Sequence, residues 1–166
     1  MNRPALKDDV DLLERMEKDL INKVADALNE YGVDSVVHGV FSIDDLENKT
    51  QKDLNGLLAI GVGYQGASRP GRGANNPTQG NAAAMGEYFF MIMFAAPSDA
   101  VCSQRYTATK VMTILRKAIL GKPVDSDERT QRCWDFVQEK PETDVSEESM
   151  LYYTQLWRLA MPIIGN

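Results

Sequence analysis

The sequence predicts an α+β fold, an antiparallel (mixed) β-sheet of about five strands with two main helices packed on one face. Three observations carry this. Two stretches repeat apolar residues at three- and four-residue steps, the spacing of a helix with one buried side. Five shorter stretches are rich in β-branched and aromatic residues, which favour strands. The order is helix, strand, strand, strand, helix, strand, strand, with no internal repeat and no linker, so one domain over residues 1–166 accounts for the chain. Helices gathered on one face of a sheet joined mostly by short turns bury both kinds of element.

The first helix is predicted over residues 10 to 30, with Val10, Leu13, Leu20, Val24, Ala27 and Leu28 on its buried side. Asp8 or Asp9 can cap its start and Gly32 can end it. VDSVVHGVF, residues 33 to 41, reads as a strand, and the polar connector after it has room for one helical turn. LLAIGVGY, residues 57 to 64, is the second strand. EYFFMIMFA, residues 87 to 95, is the third, and its only charge is Glu87. Apolar on both sides, it belongs at the centre of a sheet or has one side packed on a partner. Pro97 stops it. Ser98 stands at an N-cap position with Asp99 just inside, so a helix is expected from there to about Leu120. Its buried side is Val101, Ala108, Val111, Met112, Leu115 and Ile119. Arg116 and Lys117 suit its C-terminus, and Gly121 with Pro123 ends it. RCWDFVQ, residues 132 to 138, and SMLYYTQLWRLAM, residues 149 to 161, are the last two strands.

A net charge of −6 and a pI of about 4.8 disfavour gripping nucleic acid by its phosphates. No run approaches the ~20 apolar residues that span a bilayer, and acids stand where a signal peptide needs an apolar stretch, so synthesis in the cytoplasm is expected. Cys102 and Cys133 form no C-x-x-C and read as reduced core residues. With a single histidine, His38, and no clustered ligands, no zinc site and no cofactor are expected. His38 itself reads as a satisfied or half-exposed strand residue. Asp44-Asp45-Glu47 and Asp125-Asp127-Glu128 lack the spacing of a calcium loop and read as solvated turns. Residues 125 to 148 carry nine acids against three bases, a solvated acidic edge that would also keep DNA from sticking.

The stretch AIGVGYQGASRPGRGANNPTQG looks twice like a phosphate cradle. Gly61, Gly63 and Gly66 match G-x-G-x-x-G, and Gly66 to Gly71 has P-loop spacing. Both need a helix to follow, and Pro70, Gly71, Gly73 and Pro77 forbid one. Arg72 and Gly73 also stand where a P-loop has Lys and Ser or Thr. Residues 65 to 80 are instead predicted to be a long inter-strand loop with four glycines, two prolines, two arginines and no acid. Either it is an inert surface loop, or Arg69 and Arg72 meet the carboxylates of a partner.

In the last strand Leu151, Tyr153, Trp157, Leu159 and Met161 alternate with Met150, Tyr152, Leu156 and Ala160, so both faces are largely apolar. One packed face uses one set. The other set is covered by a second subunit or by a thicker core in the same chain. Arg158 within this strand sits at a sheet rim or is paired across an interface, with Glu87 as its natural partner. Arg69, Arg72, Glu87, Arg158 and Trp157 are therefore the candidate interaction residues. There is no Ser/His/Asp set, Cys–His pair or metal cluster to run chemistry, and no catalytic residue is expected.

The order of elements resembles the tail terminator proteins of long-tailed phages, including the Mu-like group. The likeness runs through VADALNEYGVDSVV, LLAIGVGY, EYFFMIMF, ATKVMTILRKAILG with its KPV exit, and LYYTQLWRLAMPI, which covers most of the chain. It is a likeness of pattern and order, and that family has no catalytic motif to transfer. The resemblance implies a structural protein of the virion tail, a ring, usually a hexamer, that caps the tail tube and offers a docking surface to the head or neck. Its partners would be further copies of itself, the tail tube protein and a head-completion or neck protein, with DNA passing through the bore unheld. The Gly- and Arg-rich length of residues 65 to 80 departs from the pattern. Two alternatives stand beside this reading: a phage head-completion or neck protein, and a small nucleotide-binding enzyme using the glycines of residues 61 to 73.

Overall fold

Helix α1 (Leu12–Glu30) buries Met16, Leu20, Val24, Ala27 and Leu28 along one stripe and leaves Glu14, Arg15, Lys18 and Asn22 in solvent. The computed structural model describes residues 12–50, 58–68, 85–97, 101–102, 106–124, 132–142 and 150–162. The expected start of α1 at residue 10, with its Asp8 or Asp9 cap, lies outside them. Its end is as expected. Gly32 has φ of 67°, which only glycine adopts without strain. Val33 N–H reaches back to the Leu28 carbonyl at 2.8 Å and Gly32 N–H to the Asn29 carbonyl at 3.0 Å. That pair of bonds closes the helix and turns the chain toward the sheet.

Strand β1 (Ser35–Gly39) and helix α2 (Ile43–Thr50) precede strands β2 (Leu58–Ser68) and β3 (Met85–Pro97). A small hairpin follows, β4 (Val101–Cys102) with β5 (Tyr106–Thr107), and then helix α3 (Ala108–Ile119). Strands β6 (Asp135–Glu142) and β7 (Met150–Pro162) complete the chain. The main sheet has the order β1-β2-β3-β7-β6, a five-stranded mixed sheet as the sequence predicts. β3 occupies its centre, between β2 and β7, in keeping with its apolar faces.

Four local expectations are corrected. β1 pairs with β2 in parallel, so the polar connector between them is a crossover, and it holds α2, longer than the single turn expected. β2 does not stop at Tyr64 but runs on to Ser68, because Gly66, Ala67 and Ser68 continue the ladder with Phe89, Tyr88 and Glu87. The second main helix does not begin near Ser98. Val101, expected on its buried side, is in β4, and the helix begins at Ala108. Val101 pairs with Thr107 and Cys102 with Tyr106, so these residues form a hairpin and the helix starts only after it. Cys133, expected in the core, is exposed at an isolated bridge to Pro123.

Both main helices lie on one face of the sheet. Ile60, Val62, Tyr88, Phe90, Ile92, Phe94, Trp157 and Leu159 point to that side and pack with the α1 stripe and with Val111, Leu115 and Ile119 of α3. Trp134 enters this core just before β6, edge-on to Phe90 at 5.2 Å between ring centres. Its indole N–H finds the buried Asp19 carboxylate of α1 at 2.8 Å, and Lys23 holds the same carboxylate at 3.0 Å. A buried indole and a buried carboxylate thus satisfy each other. Trp157, expected at an interaction surface, is fully buried here and belongs to the core of this chain.

Candidate interaction surface

The register places the second set of β7 side chains on the sheet face away from α1 and α3. Phe89 stands opposite Arg158, Met91 opposite Leu156 and Met93 opposite Thr154. Only part of this outer face is covered by a described helix. α2 brings Leu46 over Ala59 and Met93, and Val40 joins them in a small second cluster. Beyond it Phe89, Met91 and Leu156 are half-buried. Of the two explanations offered by the two-faced β7, the thicker core holds over β2, and over β3 and β7 the outer face carries a partly buried apolar patch.

Glycines make the covered part possible. Residues 40 to 46 cross the outer face directly over β2. A Cβ on Gly61 would strike the Val40 side chain, and a Cβ on Gly63 would strike the Val40 carbonyl oxygen. Val40 N–H is fixed to the Val62 carbonyl at 2.9 Å. Where β1 has ended, the Tyr64 N–H is met by the Glu17 carboxylate of α1 at 3.1 Å. Gly66 follows at a register shift with φ of 120°. The three glycines of the G-x-G-x-x-G pattern thus lie within strand β2, where Gly61 makes room for the Val40 side chain, Gly63 for the Val40 backbone, and Gly66 takes the positive φ of the register shift. The strand-to-helix turn of a dinucleotide cradle is not what they form. The Tyr64 hydroxyl is held above its usual range by burial, with the neighbouring Tyr88 adding to it.

At the rim of the apolar patch Arg158 joins two carboxylates. Its Nε and Nη2 donate to Asp135 Oδ2 at 2.8 and 2.6 Å, and its Nη1 donates to Glu87 Oε1 at 2.9 Å. The hydrogen bond to Asp135 is the main reason that the guanidinium holds its proton even more firmly than usual. Glu87 is the partner anticipated from the sequence. Asp135 was missed, and only the pairing of β6 with β7 opposite Arg158 brings it there. Arg69 and Arg72 lie outside the described residues. His38 is half-buried in β1. Asp44 and Asp45 form the first turn of α2 rather than a solvated turn, and Asp125, Asp127 and Glu128 lie outside the described residues.

Because these side chains are 29 to 50% exposed, water screens the cluster. Arg158→Ala is expected to change unfolding free energy by less than about 1 kcal/mol, read by urea denaturation. A loss above about 2 kcal/mol would instead mark a desolvated cluster in which Glu87 and Asp135 are left facing each other.

No family model matches the chain, and no curated protein matches it. Among solved structures that align with it is one from Akkermansia muciniphila whose description reads "without transmembrane region". The alignment covers 100% of this chain and 91% of that one at 10% identity, with a TM-score of 0.33, which is too remote to carry an argument.

Proposed function

We propose that this chain is a phage tail terminator, a structural protein whose copies form a ring on the end of the tail tube and present a docking surface to the head or neck. The observation that carries this reading is the partly exposed apolar patch of Phe89, Met91 and Leu156 on the face of the sheet opposite the core. Partly exposed apolar side chains grouped on a rigid platform suit burial by another protein. The platform is firm: β3 and β7 pair along 13 residues each, from Met85 opposite Pro162 to Pro97 opposite Met150. The acidic balance of the chain suits a bore that passes DNA without holding it.

Light scattering on a sizing column tests the ring, and electron microscopy of tail tubes mixed with the protein tests the cap. A species of about six subunits and closed, length-limited tubes are expected for a cyclic assembly. Tubes that elongate freely with the protein present would sink the reading. In the same assay Arg69→Glu with Arg72→Glu should weaken capping while the melting temperature stays put, since the pair supplies positive charge for carboxylates of the tube or neck protein. Unchanged capping by the double variant would remove these two arginines from the docking surface.

A further inference from the structure

Charge is unevenly distributed along this chain. Residues 24 to 48 hold Asp26, Glu30, Asp34, Asp44, Asp45 and Glu47 and no lysine or arginine. Residues 106 to 124 hold Lys110, Arg116, Lys117 and Lys122 and no acid. The two blocks do not neutralise each other. Arg116 pairs with Glu139 of β6, which is outside the acidic block. Asp26, Glu30, Asp34, Lys117 and Lys122 are all exposed, and among the described residues none of them is in an ion pair.

Each block also has a shaped surface. On α3, exposed Lys110, Thr113, Lys117 and Leu120 follow at three- and four-residue steps, a stripe turned away from the buried Val111, Leu115 and Ile119. Leu120 N–H donates to the Arg116 carbonyl at 3.1 Å, which carries the helical turn on, and its side chain is 53% exposed. An apolar side chain beside lysines suits a protein surface better than a phosphate backbone. Where α1 gives way to β1, Asp26, Asn29, Asp34 and Ser35 line a groove of about 390 Å³, with Ala25 and Val33 as its apolar walls. This groove lies at the C-terminal end of α1, where the helix dipole is negative. Glu30 is the last residue of that helix, and its last turn has no base. The acids there stand against the dipole, an arrangement that a cation from outside relieves.

We propose that the Lys117 and Leu120 stripe of α3 in one copy docks on the Asp26 and Asp34 groove of a second copy. The occupant is another copy of this chain because each copy carries both surfaces, exposed and opposite in charge. Like face on like face would set lysine against lysine or carboxylate against carboxylate, so the contact joins one face to the other. Repeated head to tail, such a contact closes into a ring when its rotation allows. The inference rests on the self-assembly in the tail terminator reading and names its contact.

The test is solution mass of the full chain, by sizing with light scattering over a wide range of concentration. Lys117→Glu, and separately Asp26→Lys with Asp34→Lys, should each weaken self-association at least about tenfold. The melting temperature should hardly move, because these side chains are exposed. The two variants mixed together should associate again, since each offers the surface that the other needs, and the three changes in one chain should do the same. If the unaltered protein assembles and the variants assemble equally well, this contact is overturned while the terminator reading stands. Variants that are each weakened but stay apart when mixed overturn it too, since their faces then do not meet. If the unaltered protein forms only a pair of chains that Lys117→Glu breaks and mixing restores, the contact stands and the ring fails. A protein that stays monomeric at every concentration overturns the contact, and the tube-capping experiment then decides the terminator reading by itself.

Discussion

Trp157→Ala is expected to cost about 3 to 5 kcal/mol of folding stability, the range for removing a fully buried aromatic side chain. Trp157 is completely enclosed, with Phe90 opposite it on β3 and Phe136 opposite it on β6. Phe136 meets it edge-on at 5.4 Å between ring centres. The loss is not only of volume. Its indole N–H donates to Gln155 Oε1 at 3.3 Å. The Gln155 amide in turn donates to the Met112 carbonyl of α3 at 2.9 Å and to Glu139 at 3.0 Å. Arg116 closes the arrangement, with Nε 3.4 Å from the same Glu139 oxygen and its guanidinium 6.0 Å from the Phe136 ring centre. Truncation leaves the acceptor oxygen of a fully buried Gln155 facing a cavity, which adds an unsatisfied polar group to the void. Trp157→Phe keeps most of the apolar volume and should lose much less, about 1 to 2 kcal/mol. Urea unfolding followed by far-UV circular dichroism separates the two. A Trp157→Ala protein as stable as the parent but unable to assemble would mean that this indole serves an interface instead of the core.

The residues that reveal the fold in the sequence are those whose neighbours along the chain decide their place. The α1 stripe, the Gly32 stop, the position of β3 and the two-faced β7 follow from local period and from one glycine. What escaped depends on partners distant in sequence. Parallel pairing of β1 with β2 is set by which edge the α2 crossover lays β1 against, and no local pattern encodes that choice. The late start of α3 follows from the pairing of Val101 with Thr107 and of Cys102 with Tyr106, which the local N-cap signal at Ser98 does not reveal. At the candidate surface, Glu87 was legible because it is the sole charge in an apolar strand. Asp135 was not, because its meeting with Arg158 needs the β6–β7 register, including a shift between Phe136 and Gln138. Trp157 was misplaced for a related reason. Alternation separates the two faces of β7 but does not say which one the helices cover. Phe41 reads in the sequence as the last residue of a strand over residues 33 to 41, whereas β1 ends at Gly39 and leaves the ring exposed.

Gly63→Ala is expected to be among the most damaging small changes in the protein, costing about 3 kcal/mol or more, at or above the upper end for overpacking. The reason is the identity of the atom in the way. At Gly63 a new Cβ meets the Val40 carbonyl oxygen, which is backbone and is pinned by the Val40–Val62 hydrogen bond and by the α2 cap that follows. At Gly61 the first obstacle is the Val40 Cγ2 methyl, a side-chain atom, with Met93 Cγ at 3.0 Å and Leu46 Cδ1 at 3.3 Å behind it. Gly61→Ala should therefore cost about 1 to 3 kcal/mol, and Val40→Ala should partly rescue it by removing the methyl. The same Val40→Ala should do nothing for Gly63→Ala, because the carbonyl remains. Thermal and urea unfolding of the two single glycine variants, of Val40→Ala and of the two double variants measures this as a pair of mutant cycles. Equal rescue at both positions would show that residues 40 to 46 can lift from the sheet as a unit.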